Sequence, residues 1–371
     1  MNKTIFILSN SWNGLYSFRK EVYQTFHDKG YEVYISCPSV VGNEKAKWFE
    51  NIGCKIIDTK LNRQGTNPLA DISLMLTYRK LIKQIRPVAA LTYTIKPNVY
   101  GGMACALCNV PQIANITGLG AAVEYPGLMQ KLTILLYKLG LRKTYVTFFQ
   151  NDENRQFCIK HGMGNANTKL IPGSGVNLSY HTLKDYPAED EPIRFVFCSR
   201  IRKEKGIEEY IDAAEYCHEK YGDKVEFHVV GPCEGNYESR LDELSANGLL
   251  TYHGSQPDVR PFNAKAHCGI HPTFYPEGMS NVLLEYCAAG RPIITTDRAG
   301  CREIVDNGVN GYIVRQQDSA DLIEKVEKFI NLPYNEKKQM GLNARHKVEK
   351  AFDRQIVIDA YLKAVEDLQN N

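Results

Sequence analysis

The sequence predicts an α/β protein with two domains, each built on a parallel sheet that helices cover on both faces. The first indication is length, because 371 residues suffice for two domains that each bury a core. The second is alternation, since short apolar runs of strand length take turns with amphipathic runs of helix length. The third is a break near residue 175, after which the alternation starts again.

The first half of the chain opens on an apolar strand and then alternates. Its predicted strands are residues 4–8, 31–36, 55–58, 89–93, 113–116 and 146–149, and its clearest helices are residues 15–29 and 71–86. The apolar run before Ser9 is too short for a signal peptide and lacks a small-residue cleavage site, so we expect a buried strand. No apolar run is long enough to cross a membrane.

The segment Ile171-Pro-Gly-Ser-Gly-Val-Asn177 separates the halves, and a polar stretch follows at residues 184–192. Such a composition is typical of a linker. We therefore predict domains over residues 1–175 and 176–350. In the second domain, strands at residues 194–199 and 225–230 flank a helix at 206–221, and helices run from residue 319 to the end.

Charge and cysteine content narrow the function classes. Residues 1–170 hold 21 Lys and Arg against 10 Asp and Glu, a balance of +11, whereas the remainder carries −8. A basic half favours an anionic partner, and without an aromatic-basic RNA motif or a zinc finger we favour an anionic membrane surface or a phosphate-bearing acceptor over nucleic acid. The eleven scattered cysteines are typical of reduced core residues in a cytosolic protein, and the lone Cys105-x-x-Cys108 pair favours core packing over a metal site.

Two carboxylates, Glu277 and Glu285, have seven residues between them. An apolar strand precedes them and a helical pattern follows, which places Glu277 on the loop and Glu285 two turns into the helix. Backbone N–H groups that open a helix attract anions, and here they belong to Gly278, Met279, Ser280 and Asn281. This arrangement suits a sugar nucleotide, although the spacing alone also permits a partly exposed helix residue and a charge favoured by the helix dipole.

A basic loop, Ser199-Arg-Ile-Arg-Lys-Glu-Lys-Gly206, follows one strand and opens a helix. Arg200 as a planar fork and Lys205 as a mobile point charge could reach a diphosphate from one side, and a solvated basic loop is the alternative. No Asp-x-Asp motif ends a strand, so we predict no required metal and no cofactor. After the first strand, Gly14 would let the backbone approach a ligand, and the absence of Gly-x-Gly-x-x-Gly argues against a dinucleotide enzyme.

The stretch PEGMSNVLLEYCAAGRPIITTDRAGCREIVDNGVNGY, residues 276–312, resembles the signature of retaining glycosyltransferases of family four. The resemblance is densest from Arg194 to Val314 and spans nearly the whole chain. It implies the GT-B fold, in which two Rossmann-like domains have parallel sheets that face a central cleft. It also implies an acceptor-binding first domain, a nucleotide-sugar-binding second domain, and a last helix in residues 351–371 that packs back on the first domain.

The resemblance implies roles for several residues. Arg200 and Lys205 match the positions that hold the donor diphosphate, while Glu277 would hold the sugar and Glu285 the ribose. The turn at Gly14 would touch the donor phosphates and the acceptor. Backbone contacts to the nucleobase near residues 252–259 favour UDP, and retention without an evident nucleophile suggests front-face attack.

The acceptor side is less defined. The family often carries a histidine near Tyr93-Thr-Ile-Lys-Pro-Asn98, and this chain has none there, so Lys96 and Asn98 are the polar groups available. Arg19 could meet an acceptor phosphate, although a surface helix charge is the favoured interpretation. The loop Asn115-Ile-Thr-Gly-Leu-Gly120 resembles the acceptor-side loop of enzymes that extend lipid-linked sugars, which makes Gly118 and Gly120 candidates. Glu124, just beyond, is a candidate whose alternative is plain surface charge.

Residues 126–143 carry six leucines and several basic residues in a helical pattern. An interfacial membrane helix and a core-facing helix both fit this pattern. We assigned Leu128, Leu132, Leu135, Leu136, Leu139 and Leu141 to one apolar surface.

The sequence therefore predicts a retaining, metal-independent glycosyltransferase. The chain also resembles bacterial enzymes that build lipid-linked surface polysaccharides or glycans. This resemblance implies transfer of a hexose or N-acetylhexosamine, with galactose or N-acetylgalactosamine favoured, from a UDP-sugar to a saccharide on undecaprenyl diphosphate. Such an enzyme would be cytoplasmic and peripheral on the inner membrane face. The alternatives are a GT-B nucleotide-sugar epimerase and a nucleotide-sugar-binding protein without turnover.

Overall fold

The computed structural model describes residues 3–62, 65, 67–120 and 123–370. The chain forms two compact units, the first made of residues 1–174 and 355–371 and the second of residues 175–354. The predicted boundaries were after residues 175 and 350. Residues 1, 2 and 371, at the ends of the predicted segments, lie outside the described residues.

The described part of the first unit contains a parallel sheet of seven strands. They are β1 (Thr4–Leu8), β2 (Glu32–Cys37), β3 (Lys55–Asp58), β4 (Ala89–Tyr93), β5 (Gln112–Ile116), β6 (Thr144–Phe149) and β7 (Thr168–Leu170), in the order β3-β2-β1-β4-β5-β6-β7. Its helices include α1 (Trp12–Asp28), α2 (Glu44–Asn51), α3 (Pro68–Ile85), α4 (Gly102–Cys108), α5 (Leu128–Gly140) and α6 (Asp152–Lys160). The central strands are buried along their whole length, which explains their continuous apolar sequence.

The second unit repeats the plan with six parallel strands. They are β8 (Ile193–Cys198), β9 (Val225–Val230), β10 (Thr251–Tyr252), β11 (Cys268–His271), β12 (Ile293–Thr296) and β13 (Gly311–Val314), in the order β10-β9-β8-β11-β12-β13. Its helices are α7 (Ile207–Tyr221), α8 (Tyr237–Ala246), α9 (Arg260–Lys265), α10 (Asn281–Ala288), α11 (Ser319–Ile330) and α12 (Tyr334–Ala351). The strand order reverses direction between β8 and β11, and open α/β sheets bind ligands at such a switch point.

The last helix, α13 (Arg354–Asn370), belongs almost entirely to the first unit. Val357, Tyr361 and Val365 are fully buried in the core of that unit. The Tyr361 ring lies 5.0 Å from the ring of Phe148, and its hydroxyl accepts a hydrogen bond of 2.6 Å from Asn115 Nδ2. The helix therefore completes the first core by both apolar packing and a buried hydrogen bond.

Arg291 is a fully buried cation in the second unit. Its guanidinium donates only to backbone carbonyls in the described contacts: those of Asn263 (3.0 Å), Lys184 (3.3 Å), Gly290 (3.3 Å), Asp185 (2.6 Å) and Ala264 (2.7 Å). Burial lowers the pKa of Arg291 to about 10, so the group stays charged at neutral pH. The side chain thus ties the segment before β8 to the helix α9.

All eleven cysteines are free thiols, including Cys105 and Cys108 of the Cys-x-x-Cys motif. Cys105 is buried, and Cys108 Sγ donates to the carbonyl of Arg79 at 3.7 Å. Within the described residues, no three His, Cys, Asp or Glu side chains are grouped to hold a metal ion. None of the helices in this part of the chain is long and apolar enough to span a membrane.

Candidate functional site

Two loops leave the second sheet at its switch point. The basic loop, residues 199–206, follows β8, and the acidic loop, residues 272–280, follows β11. These strands are hydrogen-bonded neighbours, with Cys268 opposite Phe195. Because parallel strands end at the same edge of a sheet, the two loops lie side by side where ligands bind in this architecture.

Backbone contacts hold the two loops together. The carbonyl of Glu204 in the basic loop accepts three hydrogen bonds from the acidic loop: from the N–H of Phe274 (3.0 Å), the N–H of Tyr275 (3.0 Å) and Thr273 Oγ1 (3.1 Å). Gly206 has φ +82°, and a Cβ there would lie 2.2 Å from the carbonyl oxygen of Pro272. Any side chain at this position would push the loops apart, so glycine is required.

The predicted donor residues Lys205 and Glu277 meet across this junction. Lys205 Nζ donates a hydrogen bond to Glu277 Oε1, and the two side chains are 8% and 17% exposed. The Lys205 ammonium also lies 4.7 Å from the centre of the Tyr275 ring. The structure therefore brings a protected cation and a carboxylate to one point, although 72 residues separate them in the chain.

The predicted start of the following helix is wrong. Helix α10 begins at Asn281 with Ser280 as its N-cap, so Gly278 and Met279 lie in the preceding loop. The Ser280 N–H donates to the Gly300 carbonyl at 2.8 Å and is not offered to a ligand. Helix α10 therefore begins later in the chain than the sequence predicts. The N–H groups of its own first turn have no hydrogen-bond partners inside the helix.

Glu285 is the fifth residue of α10, so it lies just over one turn into the helix and not two. The side chain is half-buried. Burial raises the pKa of its carboxyl group to about 7, and the charge of Asp258 adds to this while that of Arg354 opposes it. A carboxyl group that titrates near neutrality away from ligand is typical of functional sites.

Arg200, the other predicted diphosphate ligand, is 49% exposed and donates to Glu234 Oε1 at 2.8 Å. Arg202 shares the same carboxylate at 3.3 Å and also pairs with both oxygens of Glu204 at 2.8 and 2.9 Å. The Arg202 guanidinium lies 5.4 Å from the centre of the Tyr275 ring. Of the three cations Arg200, Arg202 and Lys205, Lys205 is therefore the most protected.

In the first unit, Gly14 lies in the first turn of α1, and its N–H donates to the N-cap hydroxyl of Ser11 at 3.2 Å. The close approach of the backbone at Gly14 to a ligand stays a prediction. The interpretation of Arg19 as a surface charge is wrong, because its side chain is buried and stacks 5.3 Å from the Tyr93 ring. Its Nη1 donates to the carbonyl of Phe18 at 2.9 Å.

The polar residues after β4 have structural partners. Lys96 Nζ donates to Asp71 Oδ1 at 2.6 Å, and the two side chains are 14% and 12% exposed. Asn98 is fully buried, accepts from Thr92 Oγ1 at 2.7 Å and donates to the Asn115 carbonyl at 2.9 Å. Asn98 is therefore part of the core, whereas Lys96 remains at the end of the strand with its charge compensated.

The loop after β5 needs its glycines, since Gly118 has φ 132° and Gly120 has φ 74°. Both values lie in the region that glycine adopts without strain. Residues 121 and 122 fall outside the described part of the chain, and Glu124 beyond them is half-buried. The loop thus has a glycine-dependent shape at the carboxyl end of the sheet.

Helix α5 presents a row of leucines to solvent. Leu128, Leu132, Leu135 and Leu139 are 85%, 48%, 52% and 47% exposed, and we name them the leucine stripe. Thr133, Tyr137 and Gly140 form the buried side instead. Of the other two leucines predicted on the same apolar surface, Leu141 is fully buried and Leu136 is half-buried, so the six do not form one surface.

Comparison with known proteins agrees with this geometry. The chain matches the family model of glycosyl transferases group 1 over residues 182–347 and the glycosyl transferase 4-like model over residues 6–151. It belongs to the family-four-like GT-B glycosyltransferases. The resemblance seen in the sequence is thereby confirmed.

Two relatives of this glycosyltransferase are named for sugar transfer to a diphospho-undecaprenol substrate and for capsular polysaccharide biosynthesis. The N,N'-diacetylbacillosaminyl-diphospho-undecaprenol alpha-1,3-N-acetylgalactosaminyltransferase of Campylobacter jejuni is 24% identical over 98% of both chains. The capsular polysaccharide biosynthesis glycosyltransferase CapM of Staphylococcus aureus is 27% identical and covers 77% of this chain and 80% of its own.

Solved structures show the same fold. Anabaena HepE in complex with UDP and glucose superposes with a TM-score of 0.79 at 16% identity, covering 98% of this chain and 100% of its own. A glycosyltransferase from Rickettsia africae gives a TM-score of 0.80 at 18% identity, covering 100% and 99%. The predicted GT-B fold is confirmed.

Sequence reasoning about this glycosyltransferase missed three residues at the loops. Arg202 lies inside the basic loop, and its place beside Arg200, Lys203 and Lys205 is the signal in the sequence that could have identified it. Tyr275 and Glu234 gave no such signal, because their roles come from contacts with residues far away in the chain. The basic and acidic loops together can hold a negatively charged ligand beside a hydrogen-bonding carboxylate.

Proposed function

We propose that this glycosyltransferase moves a hexose or N-acetylhexosamine from a UDP-sugar to a lipid-linked saccharide in surface polysaccharide or glycan biosynthesis. The observation that carries the proposal is the contact of Lys205 with Glu277 beside the start of α10, with Glu285 just over one turn along that helix. A cation and helix N–H groups suit the diphosphate of a UDP-sugar, and the carboxylates before and after them in the chain suit the sugar and the ribose on its two sides.

The relatives support the choice of substrates. The Campylobacter jejuni protein is named for transfer of N-acetylgalactosamine to an undecaprenyl diphosphate saccharide, which favours galactose or N-acetylgalactosamine here. The Anabaena structure contains UDP and glucose, which favours a UDP-linked donor. The +11 balance of residues 1–170 suits an acceptor that carries a diphosphate, so we assign the acceptor to the first unit.

In the second unit, Glu277 would accept hydrogen bonds from sugar hydroxyls and Glu285 from the ribose diol. Lys205 and Arg200 would hold the diphosphate, and the N–H groups at Asn281 would add the dipole of α10. These charges would neutralise the leaving group in the place of a metal ion, so we propose that no metal is required. In the first unit, the turn at Gly14 would contact the donor phosphates and the acceptor, and the groups at Arg19, Lys96, Gly118, Gly120 and Glu124 are the acceptor-side candidates.

The reaction would proceed by front-face attack with retention at the anomeric carbon. The acceptor oxygen forms the new bond to C1 on the face from which the UDP oxygen departs. The hydroxyl proton passes to that departing phosphate oxygen, so the products are the glycoside and UDP. The protein mainly positions the reactants and stabilises the developing negative charge.

The test is calorimetric binding of UDP, GDP, ADP and four UDP-sugars: those of galactose, N-acetylgalactosamine, glucose and N-acetylglucosamine. We expect UDP to bind, and we expect UDP-galactose or UDP-N-acetylgalactosamine to bind most tightly of the four UDP-sugars. The enzyme should then transfer the sugar of that donor to an undecaprenyl diphosphate saccharide. Binding of GDP alone would overturn the base assignment, and binding of no nucleotide would overturn the proposal. Product analysis excludes the alternatives, because an epimerase would convert the donor without acceptor and a binding protein would leave it unchanged.

Glu285→Gln is expected to weaken donor binding and to stabilise the second unit at alkaline pH. The folded pKa of about 7 lies above the usual 4.5, so the stability contributed by protonation is full below 4.5 and lost as the pH rises through 7. At pH 8 the variant should gain about 1–3 kcal/mol in unfolding free energy, with no gain below pH 4.5. Circular dichroism during denaturation measures this change.

The same titration predicts the pH dependence of donor binding. Wild type should bind UDP-galactose several-fold more weakly at pH 5.5 than at pH 8, because the ionised carboxylate accepts the ribose hydrogens, whereas Glu285→Gln should bind weakly at both. The control is Glu324→Gln, which changes a side chain that is 68% exposed. Equal pH profiles for wild type and Glu285→Gln would contradict the ribose assignment.

We also propose that the enzyme lies on the inner face of the cytoplasmic membrane and that the leucine stripe of α5 contacts the lipid. Within the described residues, the leucines of the stripe are 47% to 85% exposed, and Lys131 and Lys138 are exposed on the same helix. Exposed leucines beside basic residues are typical of helices that lie in an anionic membrane interface.

Leu132→Gln combined with Leu135→Gln should weaken binding to vesicles that contain anionic lipid about tenfold, since two apolar side chains no longer enter the interface. Vesicle flotation measures this. Val309→Gln is the matched control, because Val309 is an exposed apolar residue, at 51%, in the second unit. Unchanged flotation of the double variant would overturn the role of the stripe.

A further inference from the structure

We infer that Tyr275 is a positioning residue for the leaving diphosphate, because its ring holds the Lys205 ammonium in place without neutralising it. The inference rests on the proposed function, since it assigns a role in the same donor site. Tyr275 precedes the carboxylate Glu277 by two residues and belongs to the acidic loop.

Contacts of both its backbone and its ring hold Tyr275 in position. Its N–H donates to the Glu204 carbonyl at 3.0 Å and lies 3.2 Å from Thr273 Oγ1, so its backbone is tied to the basic loop. Its half-buried ring has Lys205 Nζ at 4.7 Å and the Arg202 guanidinium at 5.4 Å from the ring centre. Both distances lie within the range of a cation–π contact.

A neutral ring suits this position because Lys205 must serve two partners. In the structure Lys205 donates to Glu277, but the proposed donor engages Glu277 through sugar hydroxyls and Lys205 through a phosphate. Once the ion pair opens, the ring of Tyr275 remains in contact with the ammonium. A carboxylate in this place would compete with the phosphate for the charge, whereas the quadrupole of a ring attracts the cation and leaves its charge available.

Arg202 also contacts the ring of Tyr275, but this contact should affect diphosphate binding less than the contact with Lys205. Its guanidinium touches the ring, but the carboxylates of Glu204 and Glu234 already compensate its charge. Lys205 makes a single such ion pair among the described contacts, with Glu277. Tyr275 should therefore act on diphosphate binding mainly through Lys205, and this difference provides a thermodynamic test.

The experiment compares Tyr275→Leu and Tyr275→Phe by calorimetric UDP binding and by steady-state transfer. Loss of the ring should raise the Kd for UDP about 5- to 30-fold, as expected for a well-placed cation–π contact, and should lower kcat because the leaving diphosphate carries more charge in the transition state. The Phe variant keeps the ring and should restore most of both. Tyr216→Leu is the matched control, since the Tyr216 ring lies 5.3 Å from Lys220 on α7 and the Lys220 ammonium pairs with Glu327.

A double-mutant cycle separates positioning from packing. In a Lys205→Met background, Tyr275→Leu should change UDP binding less than twofold, since the ring has no ammonium left to hold. If the ring served only for packing, Tyr275→Leu should weaken UDP binding by the same factor with and without Lys205→Met. It should then also lower the temperature of thermal unfolding. If wild type binds UDP and Tyr275→Leu binds it equally well, only this inference fails. If wild type binds no nucleotide, both the proposed function and the inference fail.

Discussion

Glu277→Gln should reduce glycosyl transfer about 100- to 1,000-fold while leaving the affinity for UDP unchanged or slightly higher. The carboxylate is assigned to the sugar, so its loss removes hydrogen bonds that orient C1 for attack. UDP lacks the sugar and does not use this group. Because Glu277 accepts a hydrogen bond from Lys205, the variant also removes a competitor for the ammonium that binds phosphate.

Measurement of kcat/KM for transfer together with calorimetric UDP binding gives this separation. Lys205→Met is the informative partner, since it should weaken both UDP binding and transfer. Asp306→Asn is the matched control, because it removes an exposed carboxylate, at 60%, that pairs with Lys347 at 2.7 Å. Full transfer activity in Glu277→Gln would show that this residue has no part in the mechanism. If the affinity for UDP fell by the same factor as kcat/KM, Glu277 would be assigned to nucleotide binding instead.

Arg291→Met should destabilise the second unit by about 2–4 kcal/mol, because it leaves several buried carbonyl groups without a hydrogen-bond donor. The guanidinium donates to five backbone carbonyls: two in the segment before β8, two at the end of α9, and that of the preceding residue Gly290. Arg291→Lys should also destabilise the second unit, since an ammonium group has its three donors on one atom and cannot reach the same set of carbonyls. Arg315→Met, which alters a side chain that is 72% exposed, should change stability by less than about 0.5 kcal/mol.

The two units offer separate spectroscopic signals for this prediction. Both tryptophans, Trp12 and Trp48, lie in the first unit, so tryptophan fluorescence follows that unit alone. Circular dichroism follows the helices of both. Arg291→Met should shift part of the dichroism transition to lower denaturant and leave the fluorescence transition in place. Coincident, unshifted transitions would show that the buried arginine contributes little.

Elements with a strong local pattern were predictable. The strands around β1, β4 and β8 are continuous apolar runs because both faces of a parallel sheet are covered, and they appear where the sequence places them. The long motif at residues 276–312 identified the family, and the two family models confirm it. The local pattern sufficed here because a strand, a loop or a helix is specified mainly by residues that lie close together in the chain.

Burial of polar side chains was not predictable in the same way. Arg19 fits a surface charge by composition, yet it lies under Tyr93 inside the first unit. The leucines of α5 fit a core-facing helix, yet four of them are exposed. Helical periodicity shows that two faces differ, but the neighbouring elements determine which face is covered.

The amino-acid sequence by itself determined the family, the two repeated α/β patterns, the loops that carry Glu277, Arg200 and Lys205, and the helical position of Glu285. Only the tertiary structure decided that Lys205 contacts Glu277 and Tyr275, that α10 starts at Asn281, and that Glu285 has a pKa of about 7. The physical reason is sequence separation. These properties arise where strands β8 and β11 become neighbours, and the pairing of distant strands depends on the free energy of the whole folded chain.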